Sequence, residues 1–191
     1  MYATTLTAPP VQIDSRAAYA AFGLAYVFGH GSAALSQGAD PLLALPGWLP
    51  IALLAAGLAA GTILSVIAAG QAQRGAAKPE ALAGKLLGAA WLTGFTALFL
   101  TITGLSAAID HPELQAMLWP AGSTLVVGLL YLAEGVVRRI ALHYYLGTGL
   151  LLIAGASFLF GTPGLFWVLA VAGGGAYAVA TVLEHRRLAR A

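Results

Sequence analysis

Apolar residues in this chain do not alternate with polar ones; they come in long runs. Stretches free of Asp, Glu, Lys and Arg lie between Arg16 and Asp40, from Pro41 to Gln73, between Lys85 and Asp110, between Glu113 and Glu134, and from Ile140 to Leu183. A helix needs about 20 apolar residues to cross the hydrocarbon core of a bilayer, where an unpaired backbone amide finds no water. Each of the first four runs has room for one such helix. The last is too long for one, and Gly161-Thr162-Pro163-Gly164 divides it with a strong turn signal. The pattern predicts six spans, at about residues 17–38, 48–70, 86–109, 114–133, 141–160 and 164–183. The expected fold class is therefore all-α: a polytopic membrane protein forming one compact six-transmembrane-helix bundle (residues 16–185) with short loops. An irregular arm (1–15) precedes it and a basic tail (186–191) follows. The longest polar insertion, Gln71 to Gly84, reads as a loop, and Asp14 or Ser15 is placed to cap the first helix.

Charge fixes an orientation for this bundle. With six spans, all nine Lys and Arg residues fall on one side: Arg16, Arg74, Lys78, Lys85, Arg138, Arg139, Arg186, Arg187 and Arg190. The opposite loops carry Asp40, Asp110 and Glu113. The positive-inside rule then places both termini in the cytoplasm. Adding or removing one span would scatter the basic residues over both sides. The first fifteen residues lack the basic region of a cleavable signal, and the first apolar run is long enough to span.

Composition narrows the function classes. Of the 191 residues, 60% are hydrophobic and 8% charged, and the mean hydropathy is +0.86. Soluble domains carry about 25% charged residues, so too few charges remain here for a water-facing surface. The net charge of +2 follows from topology and indicates no nucleic-acid partner. The absence of cysteine excludes disulfides, thiolate metal sites and a cysteine nucleophile. No HExxH, Gly-x-Ser-x-Gly, P-loop or paired intramembrane aspartate occurs, which disfavours an enzyme. The 24 glycines include the spaced pairs Gly57/Gly61 and Gly84/Gly88, and Ala17, Ala21 and Ala25 share one face of the first span. Such faces allow close helix packing, within the chain or against another subunit or a second copy. The two halves show no convincing repeat.

Polarity retained inside a membrane marks candidate chemistry. His30, flanked by Gly29 and Gly31, shares a helical face with Tyr26 and Gln37. Thr93, Thr96, Thr103 and Ser106 form a broad polar face on the third span. Thr124, Tyr131 and Glu134 form a stripe on the fourth, and Tyr177, Thr181 and Glu184 one on the sixth. Glu134 is spaced to pair with Arg138, and Glu184 with Arg187. If Glu134 faces inward, it is the best-placed carboxylate for handling a proton or cation. His143, Tyr144 and Tyr145 open the fifth span; the last two, with Trp48, Trp119 and Trp167, fit an interfacial aromatic belt. These positions point to a small-solute path lined by Tyr26, His30, Gln37, Thr96, Thr103, Tyr131 and Glu134. Secondary candidates are His143, Tyr144 and Tyr177. A non-catalytic partner or sensor subunit is the alternative. A haem-binding electron-transfer protein is the minor third reading, since the four histidines lie toward both faces of six helices; against it, bis-histidine proteins of the cytochrome b561 type place their ligands within four central helices, whereas His111 precedes Pro112 in a loop and His185 adjoins Arg186. No metal ion or other cofactor is expected.

Overall fold

The computed structural model describes residues 13–74 and 76–190. Most of the arm expected at 1–15 lies outside the described residues, as does Ala191 of the tail. Regular structure among the described residues is helical, without strands, and falls in five stretches. These are α1 (residues 16–36), α2 (Trp48–Gln73), α3 (Lys78–Ala108), α4 (Pro112–Arg138) and α5 (Ala141–Leu188). Four of them, α2 to α5, are long and apolar enough to cross a membrane. The shorter α1 carries Arg16, Tyr19, Tyr26, His30, Ser32 and Ser36, which lower its hydropathy.

Two expectations about helix limits differ from the structure. The fifth and sixth predicted spans are joined without a loop, across a kink where backbone angles leave the helical region at Gly161 (φ 57°) and Thr162 (ψ 132°). Gly161 tolerates the positive φ that a Cβ would resist. We call the parts on either side of this break the first limb (Ala141–Ser157) and second limb (residues 161–188) of α5. The second correction concerns the segment expected to be a loop between Gln71 and Gly84. α2 runs on to Gln73 and α3 begins at Lys78. Pro79 sits in the first turn of α3, where its missing N–H costs no bond, and Glu80 opposes the positive end of the helix dipole.

Glycines set how the helices meet. Along the seam between α4 and the first limb, a Cβ added at Gly128 would lie 2.8 Å from the Leu151 amide nitrogen. One at Gly147 would strike the Leu132 nitrogen, and one at Gly135 the Tyr144 nitrogen. Backbones approach this closely only without side chains between them. α1 packs along the whole second limb and against α2, where Gly57 faces Ala25 and Gly61 faces Phe22. Gly88 meets nothing within 4 Å.

The core is drawn from α1, α4 and both limbs of α5: Tyr19, Tyr26, Ala121, Tyr131, Leu146, Leu150, Leu165, Leu169 and Tyr177. α2 and α3 flank this core and bury few residues of their own. Their outer faces expose Ile51, Ile63, Val66, Leu86, Leu92 and Leu100, side chains that water would reject and lipid accepts.

Candidate functional site

The core is apolar at its edges and polar along its middle. On α1, Tyr19, Tyr26 and His30 follow one another at spacings of seven and four, so they share a face. That face points into the bundle: all three are buried, at 0%, 4% and 4% exposure. Tyr131 of α4, His143 of the first limb and Tyr177 of the second limb are buried beside them. Their rings form a continuous column. His143 lies 5.9 Å from Tyr19 and 5.6 Å from Tyr131, centroid to centroid. Both tyrosines touch Tyr177, at 6.3 and 6.4 Å. Tyr177 meets Tyr26 at 5.3 Å, and Tyr26 meets His30 edge-on at 5.0 Å. Phe166 closes the far end by stacking on His30 at 6.2 Å. From Tyr19 to His30 the column spans roughly 16 Å at the rise of an α-helix, about half the thickness of a hydrocarbon core.

Glycine and helix irregularity make room for these rings. Residues 25–30 of α1 and 169–173 of α5 are π-helical, and the two segments pack on each other. Such wide turns are uncommon and concentrate at functional sites. A Cβ on Gly173 would lie 2.5 Å from the Tyr26 ring, and one on Gly23 3.3 Å from the Tyr177 Cβ. The Tyr26 hydroxyl bonds Thr124 Oγ1 at 2.8 Å, and Thr124 donates in turn to the Pro120 carbonyl one turn earlier in α4.

At the basic end the column meets two ion pairs. Glu134 accepts from Arg138 Nε at 2.7 Å through Oε1, and its Oε2 lies 3.8 Å from His143 Nδ1. That separation suits an ion pair but exceeds a hydrogen bond. Glu184, wholly buried, accepts from Arg187 Nε at 2.7 Å and from the Ser15 amide at 3.1 Å. Arg187 also donates to the Ile13 carbonyl at 2.7 Å, tying the start of α1 to the end of α5. Ser15 stands at the N-cap position, but its hydroxyl faces His143 Nε2 at 3.5 Å; Asp14 accepts the Arg16 amide instead. The Arg16 guanidinium, bonded to Asp14, holds that carboxyl below the ordinary aspartate range. Two buried polar atoms at this end have no hydrogen-bond partner among the described residues: the Tyr19 hydroxyl and His143 Nδ1. Buried polar atoms without partners are rare and ask for an explanation.

Of the residues expected to line a path, the structure brings Tyr26, His30, Tyr131 and Glu134 to this column, with His143 and Tyr177. Gln37 is half-buried at the end of α1. Thr96 and Thr103 do not reach it. They are exposed on α3, which meets α4 through Gly94, Leu98 and Ile102, and the Thr96 hydroxyl bonds back to Leu92 of its own helix at 2.9 Å. Tyr144 is exposed beside Tyr145. His111 and His185 are exposed, away from the core. Tyr19 escaped the sequence reading, and Ser15 entered it only as a helix cap. The spacing of Tyr19, Tyr26 and His30 is the signal that would have found the first.

Two concavities open on the surface and not along the column. One, of about 530 Å³, lies between α1 and α2 beside Asp14, Arg16 and Gln71. The other, of about 500 Å³, runs between α1, Leu53 and the second limb, lined by Val27, Phe28, Gly31, Trp167, Ala170 and Gly174. No group of three His, Asp or Glu side chains placed to hold a metal ion occurs among the described residues.

Long apolar helices around a polar core are the architecture of an integral membrane protein. No family model, curated protein or solved structure matches the chain.

Proposed function

We propose that this protein crosses the membrane six times with both termini in the cytoplasm and conducts a small cation, most simply a proton, along its aromatic column. The observation that carries this reading is the column itself. Tyrosine and histidine rings follow one another from His143 to His30 through a core otherwise made of Leu, Ala and Phe166. Tyrosine and histidine both donate and accept protons, and rings in contact leave little room for a larger solute. Carboxylates stand at one end only, which gives the column a loading side. The basic residues Arg16, Arg138 and Arg187 gather at that same end, in keeping with a cytoplasmic face. The Gly161–Thr162 break is the point where the fifth crossing turns into the sixth. No cofactor is needed for this role, and lipid is the only partner it requires.

The test is proton flux in liposomes containing the purified protein. A potassium diffusion potential set with valinomycin should drive proton entry above the protein-free rate. His30→Ala and His143→Ala should each abolish the excess, and Thr96→Val should leave it unchanged. Flux equal to that of empty liposomes would end this reading.

The groove beside Trp167 and Gly174 favours a second reading, a non-catalytic subunit that receives the transmembrane helix of another protein. Cysteine-free chains suit directed crosslinking. A crosslink from a single cysteine at Ala178 to another membrane protein in the native membrane, together with absent flux, would decide for it.

A further inference from the structure

The basic end of the column contains an arrangement that the conduction of protons does not by itself require. Glu134 divides its two oxygens between two neighbours. Oε1 holds Arg138 Nε at 2.7 Å, and Oε2 faces His143 Nδ1 at 3.8 Å. His143 is 2% exposed and its Nδ1 has no hydrogen-bond partner among the described residues. The Glu134 side chain is 14% exposed and stands at the basic end of the column, between the surface and the closed interior. A small rotation of either side chain would bring Oε2 and Nδ1 into hydrogen-bond range.

We propose that Glu134 and His143 form a one-proton loading site, in which Nδ1 takes the proton and Glu134 Oε2 delivers and then stabilises it. The inference rests on the proton-handling reading above. A proton from water adds to Oε2 and passes to Nδ1. Glu134 is left as the carboxylate it was, and His143 becomes an imidazolium beside it. No electron moves and no other bond changes.

The surroundings tune this site. From α4, Arg138 competes with His143 for the charge of Glu134, and the neutral Tyr131 ring stands edge-on to the imidazole. From α1, Tyr19 is edge-on and Ser15 Oγ lies 3.5 Å from Nε2. From the second limb come Glu184 and Arg187, paired with each other and therefore close to neutral in sum. Glu134 is the one carboxylate aimed at Nδ1 among the described residues, and Arg138 is the cation that offsets it. Removing either must move the proton affinity of His143, in opposite directions.

The experiment is nitrogen NMR of the full chain in lipid nanodiscs with labelled histidine. The ring-nitrogen signals of the four histidines are assigned by single replacement of each. In Glu134→Gln the pH at which His143 is half-protonated should fall by about one to three units relative to wild type, the range for an opposite charge at this distance. In Arg138→Gln it should rise. Opposite shifts support the site; no shift, or shifts of the same sign, overturn it. Should Glu134→Gln not fold, the rise in Arg138→Gln alone decides, and its absence overturns the pair. Liposome flux separates the two proposals. Opposite shifts without wild-type flux keep the loading site and remove conduction, whereas flux with an uncoupled His143 does the reverse.

Discussion

Glu184 of α5 accepts the backbone amide of Ser15 at 3.1 Å, joining positions 169 apart in the chain. The same carboxylate takes two bonds from Arg187, which reaches on to the Ile13 carbonyl. The start of the first helix and the end of the last are thus locked by one buried ion pair. Its members are not equivalent: Glu184 has no exposed surface, while the Arg187 side chain is 28% exposed.

That difference sets the order of two substitutions. Arg187→Met leaves a buried carboxylate without its cation and should cost about 3–5 kcal/mol. Glu184→Gln leaves a partly exposed arginine that can reach the surface, and should cost less. Denaturation of the purified protein in mixed micelles gives the comparison; an equal or reversed order would contradict it.

The Tyr26–Thr124 bond makes a similar contrast. Tyr26→Phe removes one hydroxyl while Thr124 keeps its bond to Pro120. The expected loss is about 1 kcal/mol or less, in line with interhelical bonds in membranes. Thr124→Val strands the buried Tyr26 hydroxyl and should cost about 1–3 kcal/mol. The same denaturation curves test both.

Glycine positions separate cleanly. Gly57→Leu drives a side chain into Ala25, whose Cα lies 2.8 Å from the added Cβ, and should destabilise by at least about 1–3 kcal/mol. Gly88→Ala and Gly104→Ala meet open space and should be neutral or stabilise by up to about 1 kcal/mol through helix propensity. Thermal melts of the three variants in one detergent would show the split.

Acid acts on the junction before α1. Asp14 is held below its ordinary value of 3.8 by its bond to Arg16. A lowered carboxylate stabilises the fold above its unfolded value and loses that contribution as pH falls through the folded one. Wild type should therefore exceed Asp14→Asn in stability by a constant margin above pH 3.8, and the margin should close below it. Both groups of the pair are about half exposed, so the margin is small and salt should shrink it further.

The apolar runs alone determined that lipid surrounds most of this polypeptide, because chain length and the absence of charge decide which segments a bilayer accepts. They also located the helices to within a turn or two, and helical spacing paired Glu134 with Arg138 and Glu184 with Arg187. Helix periodicity placed Tyr26 and His30 on one face. Which polar faces meet was beyond its reach. Thr96 and Tyr131 look alike in a helical projection, yet α3 lies outside α4, so the threonine meets the exterior and the tyrosine the core. The Tyr19–His143–Glu134 grouping draws on three helices and depends on where glycines let backbones close, at Gly128, Gly135 and Gly147. The kink that joins the two limbs of α5 likewise turns on the backbone angles of two residues, Gly161 and Thr162. Hydropathy is a property of segments and can be summed along a chain; contact between segments depends on shape, and only the folded bundle supplies it.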